Sequence, residues 1–207
     1  MARLRTRLPL VQLVTTLFVA GCTGSDDAAP RASSTPTLAA GTAIEVYSPF
    51  DVGGELADGV TIAATVSGEC LGSSVLGRTD ALRCFLDNNE VADPCFADQG
   101  DPPRVVCARQ PGDPKSIEVR LKKTPDYSEE EVGLTDGPPW IVQLADGQTC
   151  GAVSGATDVL AGQRLNYACD RGDLYGGVDR TTPMWTVLYR ATGSATLAKV
   201  AVTKATF

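Results

Sequence analysis

The chain has 207 residues, with 18 basic and 25 acidic side chains and no histidine. Its formal net charge of −7 speaks against nucleic-acid binding, because that binding depends mainly on basic side chains that neutralise phosphates. The lack of histidine excludes Ser-His-Asp and Cys-His nucleophilic catalysis, and it excludes histidine-ligated metals.

The first 21 residues have the pattern of a secretory signal. Arg3, Arg5 and Arg7 form a basic start, and a mainly apolar segment follows from Leu8 to Ala20. This segment fits the apolar region of a signal peptide, which is roughly 7–15 residues long. It is too short to span a bilayer, which takes roughly 20 apolar residues.

The end of this segment, Val19-Ala20-Gly21-Cys22, resembles the lipobox of bacterial lipoproteins. The resemblance implies that Cys22 receives a diacylglycerol, that residues 1–21 are removed, and that the new N-terminus is often acylated. We therefore expect a protein held by lipid at the extracytoplasmic face of the cell membrane, since two or more acyl chains hold a protein stably. The alternatives are an ordinary signal peptide in which Cys22 is incidental and an uncleaved membrane anchor.

Residues 22–42 are rich in Ser, Thr, Ala, Pro and Gly and have no large apolar residue before Leu38. This composition predicts a flexible tether, because it offers too little apolar surface to offset the entropy of ordering. Loss of the signal leaves 15 basic against 25 acidic side chains, a charge of −10, which favours a soluble exported domain.

Six cysteines remain after lipidation of Cys22. They are Cys70, Cys84, Cys95, Cys107, Cys150 and Cys169. An even number in an exported chain predicts three disulfides, although the sequence alone allows many pairings. We predict that neighbours pair, because each neighbouring pair brackets a turn-rich segment. A zinc site is the competing interpretation, but the chain has no CxxC pair. We expect no metal and no cofactor.

Residues 43–207 are predicted to form one domain, with room for two subdomains joined near residues 124–139. Strands are predicted over residues 60–66, 83–86, 90–92, 104–108, 116–122, 140–144, 148–153, 164–169, 184–190 and 197–207. Turn residues at Asp87-Asn88-Asn89 and Asp146-Gly147 predict hairpins. Ser128–Glu131 fits the start of a single helical turn. The expected fold is all-β or β-dominated, an antiparallel sandwich or barrel-like domain stapled by disulfides.

Several short segments resemble a cysteine-rich secreted domain common in high-GC Gram-positive bacteria. They are Arg83-Cys84, Asp93-Pro94-Cys95-Phe96, Pro139-Trp140, Asn166-Tyr167-Ala168-Cys169 and Pro183-Met184-Trp185-Thr186-Val187. The resemblance implies export and disulfides, and it transfers no activity or site.

Two groups of carboxylates are candidates for chemistry. They are Asp87, Glu90 and Asp93, and Asp170, Asp173 and Asp179. Two carboxylates can hydrolyse a glycoside, and several can bind calcium. Acidic residues in glycine-rich turns are more often solvated turn formers. Trp140 and Trp185 are predicted core residues, with a stacking platform for a ligand as the alternative.

The candidate binding surface is residues 170–180, predicted as an exposed loop between two strands. Asp173, Tyr175, Asp179 and Arg180 offer charge and an aromatic face beside the flexible pair Gly176-Gly177. We therefore expect a non-catalytic binding or accessory module of the cell envelope rather than an enzyme, with an envelope protein or glycan as its unknown partner. The alternatives are a carboxylate-dependent hydrolase of envelope polysaccharide and a carrier of small apolar ligands.

Overall fold

The computed structural model describes residues 40–72, 74–100, 102–125, 127, 132–155 and 157–207. These residues form β-strands and contain no helix, hence none that could cross a membrane. The strands are β1 (Ala43–Glu45), β2 (Ile62–Leu71), β3 (Ala81–Leu86), β4 (Val91–Ala97), β5 (Val105–Cys107), β6 (Ser116–Leu121), β7 (Ile141–Leu144), β8 (Thr149–Ala152), β9 (Val159–Leu160), β10 (Gln163–Cys169), β11 (Gly172–Asp179), β12 (Trp185–Ala191) and β13 (Ala198–Thr206). Cys22 and the predicted helical turn at Ser128–Glu131 lie outside the described residues.

Strands β2 to β6 form a closed five-stranded barrel, the N-terminal barrel. Successive strands pair antiparallel, and β6 closes the ring by pairing parallel with β2, where Val119 lies opposite Val66. The interior is filled by inward-facing apolar side chains. They are Cys70, Leu82, Cys84, Leu86, Cys95, Val105, Cys107 and Val119.

Strands β7, β8 and β10 to β13 form the second ring, the C-terminal barrel, because β13 pairs both with β12 and with β7. β1 adds to β13 in parallel, and β9 adds to β10. The interior is again filled by side chains. They are Val142, Leu144, Cys150, Tyr167, Leu174, Val187 and Val202. The predicted β-rich, barrel-like fold is confirmed.

The two barrels meet around a cluster of aromatic rings. Phe96 of the N-terminal barrel and Trp140, which precedes β7, are each 2 % exposed. Tyr47 lies against both, with ring centroids 5.3 Å from each, and Phe96 and Trp140 are 5.6 Å apart. Trp140 is thus a core residue, as the sequence predicted, and it contacts both halves of the fold.

The three predicted cystine pairs are confirmed. Disulfides join Cys70 to Cys84, Cys95 to Cys107 and Cys150 to Cys169. In each pair the two cysteines lie directly opposite each other on adjacent antiparallel strands, with Cα atoms 3.9–4.2 Å apart. Each bond therefore fixes the register of one strand pair.

The prediction of an exposed loop over residues 170–180 is wrong. Gly172–Asp179 is strand β11, which pairs with β10 and β12, and only the turn at Asp170-Arg171 separates it from β10. Leu174 and Tyr175 are both 0 % exposed. Gly176-Gly177 breaks the register with β12 between Tyr175 and Asp179, and Gly176 has a φ of +70°, so these glycines form an irregularity in a strand.

Candidate functional site

The first predicted carboxylate group is occupied by protein partners. Asp93, whose side chain is 4 % exposed, accepts hydrogen bonds from the Ser74 hydroxyl (2.7 Å), the Val75 N–H (3.0 Å) and Arg83 Nε (2.8 Å). Asp87 pairs with Lys122, and Glu90 accepts from the Asn88 amide. Asp93 therefore positions protein groups and leaves little carboxylate surface for a ligand.

The second predicted group is divided along β11. Asp173 forms an ion pair with Arg190 of β12 at 2.6 Å. Asp179, at the other end of β11, accepts from the Thr181 hydroxyl (2.6 Å) and from Lys199 Nζ (3.2 Å). The strand thus places these two carboxylates among different partners, and it does not assemble them into one site.

Tyr175 and Arg180, both predicted ligand contacts, bind the protein itself. The Tyr175 hydroxyl donates to Asp158 at 3.1 Å, and its buried ring lies 5.0 Å from the Arg190 guanidinium. Arg180 donates to the carbonyl oxygens of Thr135 (2.8 Å) and Gly137 (2.5 Å). Its guanidinium lies 4.8 Å from the centre of the Trp185 ring.

A cleft of about 540 Å³ lies where the connection to β7 passes over the C-terminal barrel. Residues 136–139 of the connection form one side, and residues 152–155, from the last residue of β8 onward, form another. β10 contributes Arg164, Asn166 and Tyr167, and β3 of the N-terminal barrel contributes Arg83. Both barrels therefore supply side chains to one concave surface.

Three arginines line this cleft, with Asp136 as the one carboxylate among the described residues that line it. Arg83 is paired with Asp93 and is about one-third exposed. Arg164 donates through Nε to the Thr157 hydroxyl (2.9 Å) and through Nη2 to the Gly155 carbonyl. Among the described residues, no carboxylate lies within 4.0 Å of the guanidinium of Arg164 or Arg180.

The positive lining is a local property of this cleft. A second cleft, of about 500 Å³, lies beside residues 48–55. It is lined by one basic residue, Arg104, and four acidic residues, Asp51, Glu55, Asp80 and Asp98. The cationic cleft therefore differs in the sign of its lining charge from this second cleft and from the acidic chain as a whole.

The described residues that line the cationic cleft offer hydrogen-bond donors, and the sequence has no histidine to move protons near neutral pH. Tyr167 is buried beneath it and donates its hydroxyl to the Pro139 carbonyl at 3.0 Å. Burial raises the pKa of Tyr167, and the nearby Arg180 opposes this only in part. Ser154 is exposed at the rim, but the sequence has no histidine to activate it.

Three sulfur atoms also lie together, in the interior of the N-terminal barrel. The Sγ atoms of Cys84, Cys95 and Cys107 are within 4.8 Å of one another. Each belongs to a disulfide, so none is a thiolate that could bind a metal ion.

The arginine cleft could not be read from the sequence. Arg83 and Arg164 are far apart in the chain, and no spacing rule connects a residue of β3 to one of β10. The only signal was that both arginines fall in predicted strands.

No protein-family model, no curated protein and no solved structure matches this chain.

Proposed function

We propose that this chain is a lipid-anchored extracytoplasmic protein whose two barrels form a non-catalytic binding module, with the arginine-lined cleft as its binding surface. The observation that carries the proposal is the cleft itself, where Arg83, Arg164 and Arg180 surround about 540 Å³ of open space. The lipobox-like Val19-Ala20-Gly21-Cys22 and the three disulfides support the extracytoplasmic location.

Binding without catalysis is favoured by the side chains that line the cleft. Glycoside hydrolysis takes a pair of carboxylates that flank the bond to be broken. Asp136 is the single acid among the described residues that line this cleft, and Asp93, Asp173 and Asp179 form ion pairs with other residues. A carrier of apolar ligands needs an open apolar interior, whereas both barrels are filled by buried side chains.

Lipid anchoring is tested by replacing Cys22 with Ser in cells that make the protein, followed by fractionation and labelling with a radioactive fatty acid. We expect the variant to lose the label and to leave the membrane fraction. Thr23→Ser is the matched control and should keep both. A Cys22→Ser protein that stays in the membrane fraction would contradict the anchor.

The absence of catalysis is tested with purified protein and cell-envelope polysaccharide. We expect no release of reducing ends above the level of a boiled sample. Cleavage that disappears in Asp136→Asn would instead establish a carboxylate-dependent hydrolase.

A further inference from the structure

We propose that the arginine-lined cleft binds an anionic group, a phosphate or carboxylate carried by a ligand about the size of a sugar, and that Arg164 is its principal contact. This inference deepens the proposed function and depends on it for the view that the cleft is a binding surface.

The charges that line the cleft indicate that its ligand is negatively charged. Arg164 and Arg180 have no carboxylate partner among the described residues, and Asp136 is the only acid there to balance them. A guanidinium presents a planar fork of donors that matches phosphate and carboxylate oxygens. A site of net positive charge in a chain of net charge −7 is therefore suited to an anion.

Arg164 is held ready to bind. Its bonds from Nε to Thr157 and from Nη2 to Gly155 fix the guanidinium plane, while Nη1 has no partner among the described residues. Arg164 is an exposed residue near the start of β10, so solvent and ligand can reach its side chain. Binding then costs little ordering of this side chain, which favours affinity.

Arg180 and Arg83 have supporting roles. Two donors of Arg180 hold the carbonyl groups of Thr135 and Gly137, so this residue shapes the cleft wall and adds positive charge. Arg83 is already paired with Asp93, and its exposed third faces the cleft from the other barrel. Arg164 therefore gives the cleanest test, because it is the arginine whose loss disturbs the fold least.

The size and polarity of the cleft indicate a small polar ligand. A volume of about 540 Å³ lies within the range of small-molecule sites, roughly 300–1,000 Å³. Ser154 and Asn166 add hydroxyl and amide groups, and a Cβ on Gly177 would meet nothing within 4 Å. A sugar ring carrying an anionic group fits both the volume of the cleft and its hydrogen-bonding side chains.

The test uses the oxidised full chain carrying Cys22→Ser and measures binding calorimetrically. The probes are glucose 6-phosphate, glucuronate and, as the neutral match, glucose. We expect binding of at least one anionic sugar and none of glucose. Arg164→Gln should weaken that binding about tenfold or more, the usual scale for loss of a charge-assisted hydrogen bond.

Two variants separate recognition from general electrostatics. Arg120 is exposed on β6 and outside the cleft, so Arg120→Gln makes the same change of charge and should bind as the parent does. Arg164→Lys keeps the positive charge but loses the planar pair of guanidinium donors. We expect its affinity to lie between those of the parent and Arg164→Gln. Equal losses of affinity in Arg164→Gln and Arg120→Gln would overturn the proposal. It would also be overturned if the protein bound neither anionic sugar and did not bind the phosphatidylglycerol vesicles of the next experiment.

A second arm identifies the source of the anionic group. The same proteins are sedimented with vesicles of phosphatidylglycerol or of phosphatidylcholine. Binding to phosphatidylglycerol that requires Arg164 assigns the site to a lipid headgroup, and binding of sugar phosphate alone assigns it to a soluble or polymer-borne group. Because the Cys22→Ser protein has no lipid, failure of the anchor in cells and failure of the cleft in solution are separate results.

Discussion

Gly137 lies at a point where the connection between the barrels touches the N-terminal barrel. An ideal Cβ on this residue would stand 2.0 Å from the carbonyl oxygen of Leu76, far inside van der Waals contact. The Gly137 carbonyl also accepts a hydrogen bond from Arg180 of the C-terminal barrel. The absence of a side chain here is what allows the connection to lie between both halves.

We predict that Gly137→Ala lowers the free energy of unfolding by about 1–3 kcal/mol, because the backbone must shift away from Leu76. Urea unfolding followed by tryptophan fluorescence measures this. The matched control is Gly177→Ala, where an added Cβ meets nothing within 4 Å, and its stability should be unchanged or slightly higher. Equal stability of the two variants would contradict the close contact at Leu76.

Asp179 is predicted to titrate well below its ordinary range. Hydrogen bonds from the Thr181 hydroxyl and N–H, and then from Lys199, lower its pKa from 3.8 to about 2. These donors favour the ionised carboxylate, so their stabilising effect is full above about pH 4 and is lost as the pH falls toward 2. In Thr181→Val the pKa should rise toward its ordinary value.

Carbon-detected NMR of the Asp179 carboxyl group across this pH range measures that shift. Thr182→Val is the control, because the Thr182 hydroxyl donates to the Met184 carbonyl and does not contact Asp179. A pKa of Asp179 that is the same in Thr181→Val as in the parent would show that the hydroxyl bond has no effect.

At the scale of elements, strands bounded by clear turns were predictable. Asn89 adopts a φ of +65° between β3 and β4, where the Asp-Asn-Asn turn was expected, and Gly147 adopts +81° between β7 and β8. β11 was missed because its glycines and aspartates are typical of loops. It forms a strand because it pairs on both sides, with β10 and β12, and this pairing cannot be predicted from the local sequence.

The cleft was not predictable for a related reason. Its walls come from β3, the connection before β7 and the strands β8, β10 and β11. Only the closure of two barrels brings Arg83 and Arg164 to one surface. The predicted contact Arg180 does line the cleft, but Tyr175 is buried against Asp158 and Arg190.

The cystines connect neighbouring elements, and we predict that all six cysteines are oxidised. Alkylation of the denatured, unreduced Cys22→Ser chain should add no mass, whereas alkylation after reduction should modify all six. Replacing both Cys150 and Cys169 with Ala should lower the free energy of unfolding by about 2–5 kcal/mol, since it removes the covalent link between β8 and β10 that constrains the unfolded chain. Alkylation before reduction would contradict the three-disulfide pattern.

At the scale of the whole molecule, the aromatic cluster couples the two barrels. Trp140 contacts Tyr47 and Phe96 and is almost completely buried. We predict that Trp140→Ala costs roughly 3–5 kcal/mol and separates the unfolding of the barrels. Amide hydrogen exchange in β4 and β12 should report one common opening energy in the parent and two different energies in the variant.

Phe85→Ala is the control for this prediction. Phe85 lies on β3 but is 47 % exposed, so its truncation should cost much less and leave exchange in the two barrels coupled. Barrels that remain coupled in Trp140→Ala would show that other contacts are sufficient to join them.

The parallel placement of β1 beside β13 has a mechanical consequence if the chain is held by lipid at Cys22, as proposed above. Ala43 lies opposite Lys204 and Glu45 opposite Thr206, while Thr42 donates to the Pro183 carbonyl and the Phe207 N–H donates to Glu45. A pull along β1 therefore strains these hydrogen bonds together in shear and does not peel them one by one. Force on the proposed tether would therefore be resisted at this short strand by several hydrogen bonds at once.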